Sequence, residues 1–235
     1  MATRARAGRT VISKAASFEL SAMLTIRVGK EPKYKDFIAH ESFLTERSPF
    51  FHCAMKGRWE ESNTRIIKFP DDQHTIFALY LNFVYTGQLV TMRRCEEEGS
   101  DFTYEDVWDE YDDLFRLYIL AEKLQDVKTK NAVIAAAIDT TRTRTKNGKY
   151  TIPQSNIINI VYEGTPIGSP ARRLITDMYS IVPMTWIISH LQSTPMHGDF
   201  LVDLEVALSE IRPIKAEHKG NIVERNGAES YMEQI

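Results

Sequence analysis

The sequence predicts an α+β protein, and three observations carry that reading. Between Leu24 and Gly87 three short apolar runs, bounded by turn residues, are interleaved with short amphipathic segments. From Leu114 onward the apolar residues recur at helical spacing instead. No self-similar period of 20 to 50 residues appears, so a repeat array is not the explanation.

Taken in order, Leu24-Thr25-Ile26-Arg27-Val28 alternates apolar and polar residues and stops at Gly29, as a half-buried strand does. A second strand is expected over Tyr34–Ala39, after a turn containing Pro32. Glu41-Ser42-Phe43-Leu44 leads into a helix that Ser48 caps and Pro49 opens. Thr64–Phe69 reads as a third strand, and Pro70-Asp71-Asp72 ends it and caps the next helix. That helix carries Ile76, Phe77, Leu79, Tyr80, Phe83 and Val84 and stops at Thr86-Gly87. Leu114, Leu117, Tyr118, Ala121 and Leu124 form one stripe of a further helix. Asp126 caps another, with Val127, Asn131, Ile134 and Ile138 on a shared face, and the short connection predicts a helical hairpin.

Thr140–Tyr150 is polar and basic and reads as an exposed connector. Ser155 is expected to cap a helix containing Ile157, Ile158, Ile160 and Val161, and Ser169-Pro170 to open one through Leu174, Ile175, Met178 and Tyr179. Apolar residues return at Trp186-Ile187-Ile188 and from Phe200 to Ile211, and after Pro213 the polar sequence is expected to fray. The implied organisation is a basic mobile tail over 1–17 and a first domain over 18–138 with an acidic insertion at about 93–113. A helical extension over 139–211 and a polar tail over 212–235 follow.

Composition narrows the function classes. At 235 residues with 43% hydrophobic content, the chain can bury a real core. A net charge of -3 gives no bias toward nucleic acid, and the acids between Glu96 and Asp113 argue against DNA binding by the first domain. Two cysteines, Cys53 and Cys95, suit a reducing interior such as cytoplasm or nucleus. No apolar run reaches the roughly 20 residues of a membrane span. Arg4, Arg6, Arg9 and Lys14 without acids read as a mobile basic tail, with a mitochondrial presequence as the alternative.

At Phe37-Ile38-Ala39-His40, Phe43-Leu44, Ser48-Pro49-Phe50-Phe51, Ile67–Asp72, Tyr85-Thr86-Gly87 and Leu114–Leu124 the chain resembles the BTB/POZ family, particularly its short fungal members. Each match alone is weak; their order and spacing over half the chain is specific. The resemblance implies an α+β BTB/POZ fold, with a small three-stranded sheet flanked by helical hairpins, followed by an all-helical extension. Gly168–Leu174 resembles an element of the extensions that fungal members carry. The implied work is non-catalytic protein–protein association, with no cofactor and no metal. Family members commonly form homodimers, and the corresponding surface here is Phe18, Leu20, Met23, Phe43 and Leu44. The lead before Leu24 is shorter than the family's, which leaves a monomer open.

His40 is read as orienting the helix after it through a hydrogen bond, not as a metal ligand. His52 and Cys53 are neighbours on a helix and point apart. Gly164–Ser169 lacks the lysine of a phosphate loop and reads as a helix cap, with Arg172 and Arg173 solvated beyond it. Trp59-Glu60-Glu61 stands where family members can contact a cullin scaffold, so Trp59 and Glu61 are candidate contacts of a ubiquitin-ligase adaptor. The plain alternative packs Trp59 on its own domain. Trp108, with Glu105 and Asp109, is a candidate docking segment for a basic partner, against the plain reading of an acidic loop entering a helix. An enzyme hidden in the extension is disfavoured, since no cysteine, nucleophile elbow or paired-histidine motif occurs in Thr140–Ile235.

Overall fold

Leu24, Ile26 and Val28 give the first strand one buried face, and that strand lies at the centre of the sheet. The structure, a computed structural model, describes residues 23–56, 59–92, 102–191, 195–211 and 226–233. These fall into two compact units divided after Asp71. The expected basic tail, Phe18, Leu20, Cys95 and the first part of the acidic run lie outside the described residues.

In the first unit, β1 (Met23–Val28) pairs antiparallel with β2 (Lys35–His40) and parallel with β3 (Ile66–Phe69), giving the order β2-β1-β3. Leu24, Ile26 and Val28 are fully buried, while Met23, Thr25 and Arg27 face outward, half-buried. On that outer face Arg27 forks onto Asp36, its cross-strand partner, at 2.8 and 2.9 Å and stacks over Tyr34. The fork holds the Asp36 carboxyl below the usual carboxylate range.

Helices α1 (Glu41–Thr45), α2 (Pro49–Lys56) and α3 (Glu60–Thr64) occupy the connection between β2 and β3. Ser48 is the cap expected, its Oγ accepting the Phe51 amide at 3.2 Å. Phe50, Phe51 and Phe69 form a cluster of ring contacts 5.5 to 6.1 Å apart. The third strand starts later than Thr64, because Thr64 ends α3 and Arg65 turns left-handed at φ 56°. Arg65 compensates that strained turn by donating Nε to the Met23 carbonyl and Nη2 to Glu41, at 2.9 and 2.8 Å.

The second unit is helical. Helix α4 (His74–Thr86) ends on Gly87 at φ 70°, as predicted. Its cap position is Gln73, not Asp72; Asp72 instead accepts the Lys123 ammonium at 2.5 Å. Helix α5 (Tyr104–Leu124) begins well inside the acidic run. Thr103 and Asp106 form a reciprocal capping box, and Val107 and Tyr111 point inward, which makes this stretch helix instead of loop.

Helix α6 (Val127–Thr140) is capped by Asp126, as expected. Its buried face is Lys130, Val133, Ile134, Ala137 and Ile138, with Val127 and Asn131 only half-buried, so the expected stripe is rotated. The connector after α6 is exposed at Arg142, Arg144, Lys146 and Lys149, as expected, but is pinned at one point. The Lys146 amide donates to the Phe102 carbonyl at 2.8 Å, and Thr145 is buried.

Helices α7 (Ser155–Gly164), α8 (Pro170–Ser180), α9 (Met184–Leu191) and α10 (Gly198–Ile211) follow. Gln154 takes the cap position of α7, and Ser155 is already helical. The extension packs on α5. Tyr111 and Tyr118 on α5 reach the Thr151 carbonyl and Ser169 Oγ, each at 3.3 Å. At Gly164 an added Cβ would lie 2.7 Å from Ile119 Cγ2. Gly164→Ala is therefore expected to destabilise the chain by about 1–3 kcal/mol in urea titration. A neutral result would show that α5 and α7 separate easily.

The polar tail also needs correction over its last described part. Residues 226–233 do not fray: a 3-10 turn, Ala228–Tyr231, rests on α6 and α8 with Tyr231 buried.

Candidate functional site

Trp59 is 65% exposed, which removes the reading in which it packs on its own domain. Its backbone is nonetheless firmly placed. Trp59 occupies the cap position of α3, and its carbonyl accepts both the amide and the hydroxyl of Ser62, at 3.2 and 2.8 Å. The far end of α3 is tied to the sheet, since the Arg65 amide donates to Glu61 and its guanidinium to the start of β1. A large apolar side chain thus projects from a hydrogen-bonded helix start beside Glu60, exposed, and Glu61, half-buried. Such a helix start can insert an indole into a pocket while carboxylates meet a cationic rim.

A second apolar surface lies at one end of the sheet. Met23 pairs across strands with His40, whose ring sits 5.8 Å from Phe43. His40 stands at the cap position of α1 without a side-chain cap hydrogen bond there. Ile38, two residues back on the same face of β2, is 69% exposed. The structure therefore links Met23 and Phe43 through His40 and exposes Ile38, absent from the expected surface, on the same strand face. Its signal was present, since Tyr34, Asp36, Ile38 and His40 share one face by the period of two. Leu44 must be withdrawn from the predicted interface. It is the inward residue of α1, with no exposed surface.

On α5 the helical period brings Glu105, Trp108 and Asp109 to one side. Trp108 is half-buried and stacks on Tyr104, with ring centroids 5.8 Å apart, while Glu105 and Asp109 are exposed. Asp112 next to them is engaged by Arg116 at 2.6 Å.

The extension contains a cleft of 470 Å³ between α8, α10 and the 3-10 turn. Arg172 beneath it is buried, not solvated. Its Nη2 donates to the carbonyls of Tyr162 and Thr165, its Nε to Thr165 Oγ1 at 3.2 Å, and it stacks on the Tyr162 ring. The acids are engaged as well: Asp203 accepts from Tyr162 and Asp177 from Tyr231. Burial above all raises the Tyr162, Tyr179 and Tyr231 hydroxyls far from neutral titration. Among the described residues no group of three or more histidines, cysteines and acids is placed to hold a metal ion. No described helix is long and apolar enough to cross a membrane.

The sequence model of the BTB/POZ domain matches residues 23–125. That stretch of the chain is a BTB/POZ domain, a module of protein–protein interaction, with an α+β fold that continues into a helical extension. No curated protein matches the chain.

Proposed function

We propose that the chain is a non-catalytic docking protein that associates with itself through Met23, Phe43 and Ile38 at the end of its sheet. The BTB/POZ domain extends through α6 to about Ile138, and the remaining helices buttress it as a helical extension. The observation that carries self-association is the exposure of Ile38, 69%, on edge strand β2, on the face it shares with His40, the cross-strand partner of Met23. An exposed aliphatic on an edge strand invites pairing unless something covers it. A stable dimer needs on the order of 1,200–2,000 Å² buried in total, so this patch is the centre of an interface and not the whole of it.

Light scattering coupled to gel filtration tests the reading. The wild-type chain is expected to elute as a dimer, and Ile38→Lys as a monomer with an unchanged helical spectrum. Lysine on an edge strand blocks pairing while its stem tolerates the exposed position. A monomeric wild-type chain at tens of micromolar overturns the proposal.

A second reading is carried by Trp59. Its exposure at the start of α3, with Glu61 two residues on, supports a role as adaptor for a cullin-based ubiquitin ligase, in which another surface recruits the substrate. The exposed acids Glu105 and Asp109 beside Trp108 suit a basic partner in that second role. A non-catalytic extension is supported by the engagement of Arg172, Asp177 and Asp203 within the fold around the cleft.

A further inference from the structure

Residues 226–233 lie against α6 and α8 much as a bound peptide lies in its receptor. The contacts divide into two kinds. The side-chain amide of Asn131 grips the backbone of Glu233 from both sides, donating Nδ2 to its carbonyl at 2.9 Å and accepting its amide at 2.8 Å. That pairing fixes register and is blind to side-chain identity, as β-ladder pairing is. The other contacts read side chains. Lys130, with its side chain 5% exposed, bonds the Glu233 carboxylate at 2.7 Å. Asp177 accepts the Tyr231 hydroxyl at 2.6 Å, and the Tyr231 ring is 2% exposed. Met232 between them is extended, which sends residues 231 and 233 to the same side.

The groove does not depend on its occupant for charge balance. Lys130 is also paired with Glu122 at 3.1 Å, so the buried ammonium keeps a counter-ion when the segment leaves. The segment itself is held by one buried ring with its hydroxyl bonded to Asp177, one ion pair and one amide pair, and its regular structure is a single 3-10 turn. Elements of that kind open at far lower free energy than core helices.

We propose that the α6–α8 face is a peptide-docking groove in which the chain's own C-terminal segment sits as a displaceable ligand. Its specificity is for tyrosine followed two residues later by an acid. The partner that fits is the same segment of a second copy of this chain. This holds whether or not the sheet patch mediates self-association.

The test uses the full chain with its segment disabled by Tyr231→Ala and Glu233→Ala. A fluorescent peptide spanning Asn226–Glu233, blocked at both ends, is titrated against it by anisotropy. The disabled chain is expected to bind the peptide at 1:1. The wild-type chain should bind at least tenfold more weakly, because its own segment competes at a local concentration of about millimolar. Adding Lys130→Met to the disabled chain, or replacing Tyr231 by alanine in the peptide, should each weaken binding at least tenfold. No saturable binding to a folded disabled chain, or binding indifferent to Lys130, overturns the proposal. If the disabled chain fails to fold, hydrogen exchange of the wild-type chain decides. Amides of 226–233, that of Glu233 included, are expected to exchange at least a hundredfold faster than those of α8. Equal protection would make the segment an integral part of the core and sink the idea.

Discussion

Trp59→Ala combined with Glu61→Ala is expected to abolish capture of a cullin by the purified chain while leaving the fold intact. With 65% of its surface already in water, the indole contributes little to the folded monomer. The urea midpoint should move by no more than about 0.5 kcal/mol of stability. Docked in a partner's pocket, the same side chain is the kind that dominates an interface. Its loss should weaken binding at least thirtyfold, about 2 kcal/mol. Glu61 contributes at the rim, and its backbone carbonyl, which anchors the turn at Arg65, is untouched by alanine. Full retention of cullin by the double variant would remove the adaptor reading. So would a wild-type chain that captures none.

Arg172→Ala is expected to destabilise the chain by roughly 3 kcal/mol, measured as a lowered urea midpoint at unchanged slope. The guanidinium serves the carbonyls of Tyr162 and Thr165 and the Thr165 hydroxyl at once, and it closes the loop between α7 and α8. Truncation strands three buried acceptors, each costing about 1–3 kcal/mol less whatever water recovers. Arg172→Lys should regain less than half of the loss, because a single ammonium cannot fork between the two carbonyls and still reach the hydroxyl. Asp199 contributes little, being 3.7 Å away and 60% exposed. A loss below about 1 kcal/mol would mean that the loop is held by other contacts.

Both predictions turn on features that sequence reading placed and structure redefined. The Gly164–Ser169 loop was legible as a helix junction because Ser169-Pro170 announces a helix start. The role of Arg172 was not, since nothing local distinguishes a buried arginine from a solvated one next to it. Only the approach of Tyr162 and Thr165 across the loop makes that distinction. The start of α5 was missed despite a visible signal, as Thr103 and Asp106 stand at capping-box spacing and the surrounding acids obscured them. Leu44 was misplaced for a similar reason. On a helix of five residues the period is too short to tell the inward face from the outward one.

By itself the sequence determined the three strands, the order of strands and helices, the caps at Ser48 and Asp126, the stop at Gly87 and the BTB/POZ character of residues 23–125. Each of these rests on neighbours within a few residues, where periodicity and capping chemistry act. The tertiary structure alone decided that the extension leans on α5, that Met23 lies across from His40 near an exposed Ile38, that Trp59 faces solvent, and that residues 226–233 return to Lys130 and Asn131. Those outcomes depend on residues up to 103 positions apart, as for Lys130 and Glu233. What a side chain meets at such separations is set by how whole helices and strands pack, and no local pattern encodes it.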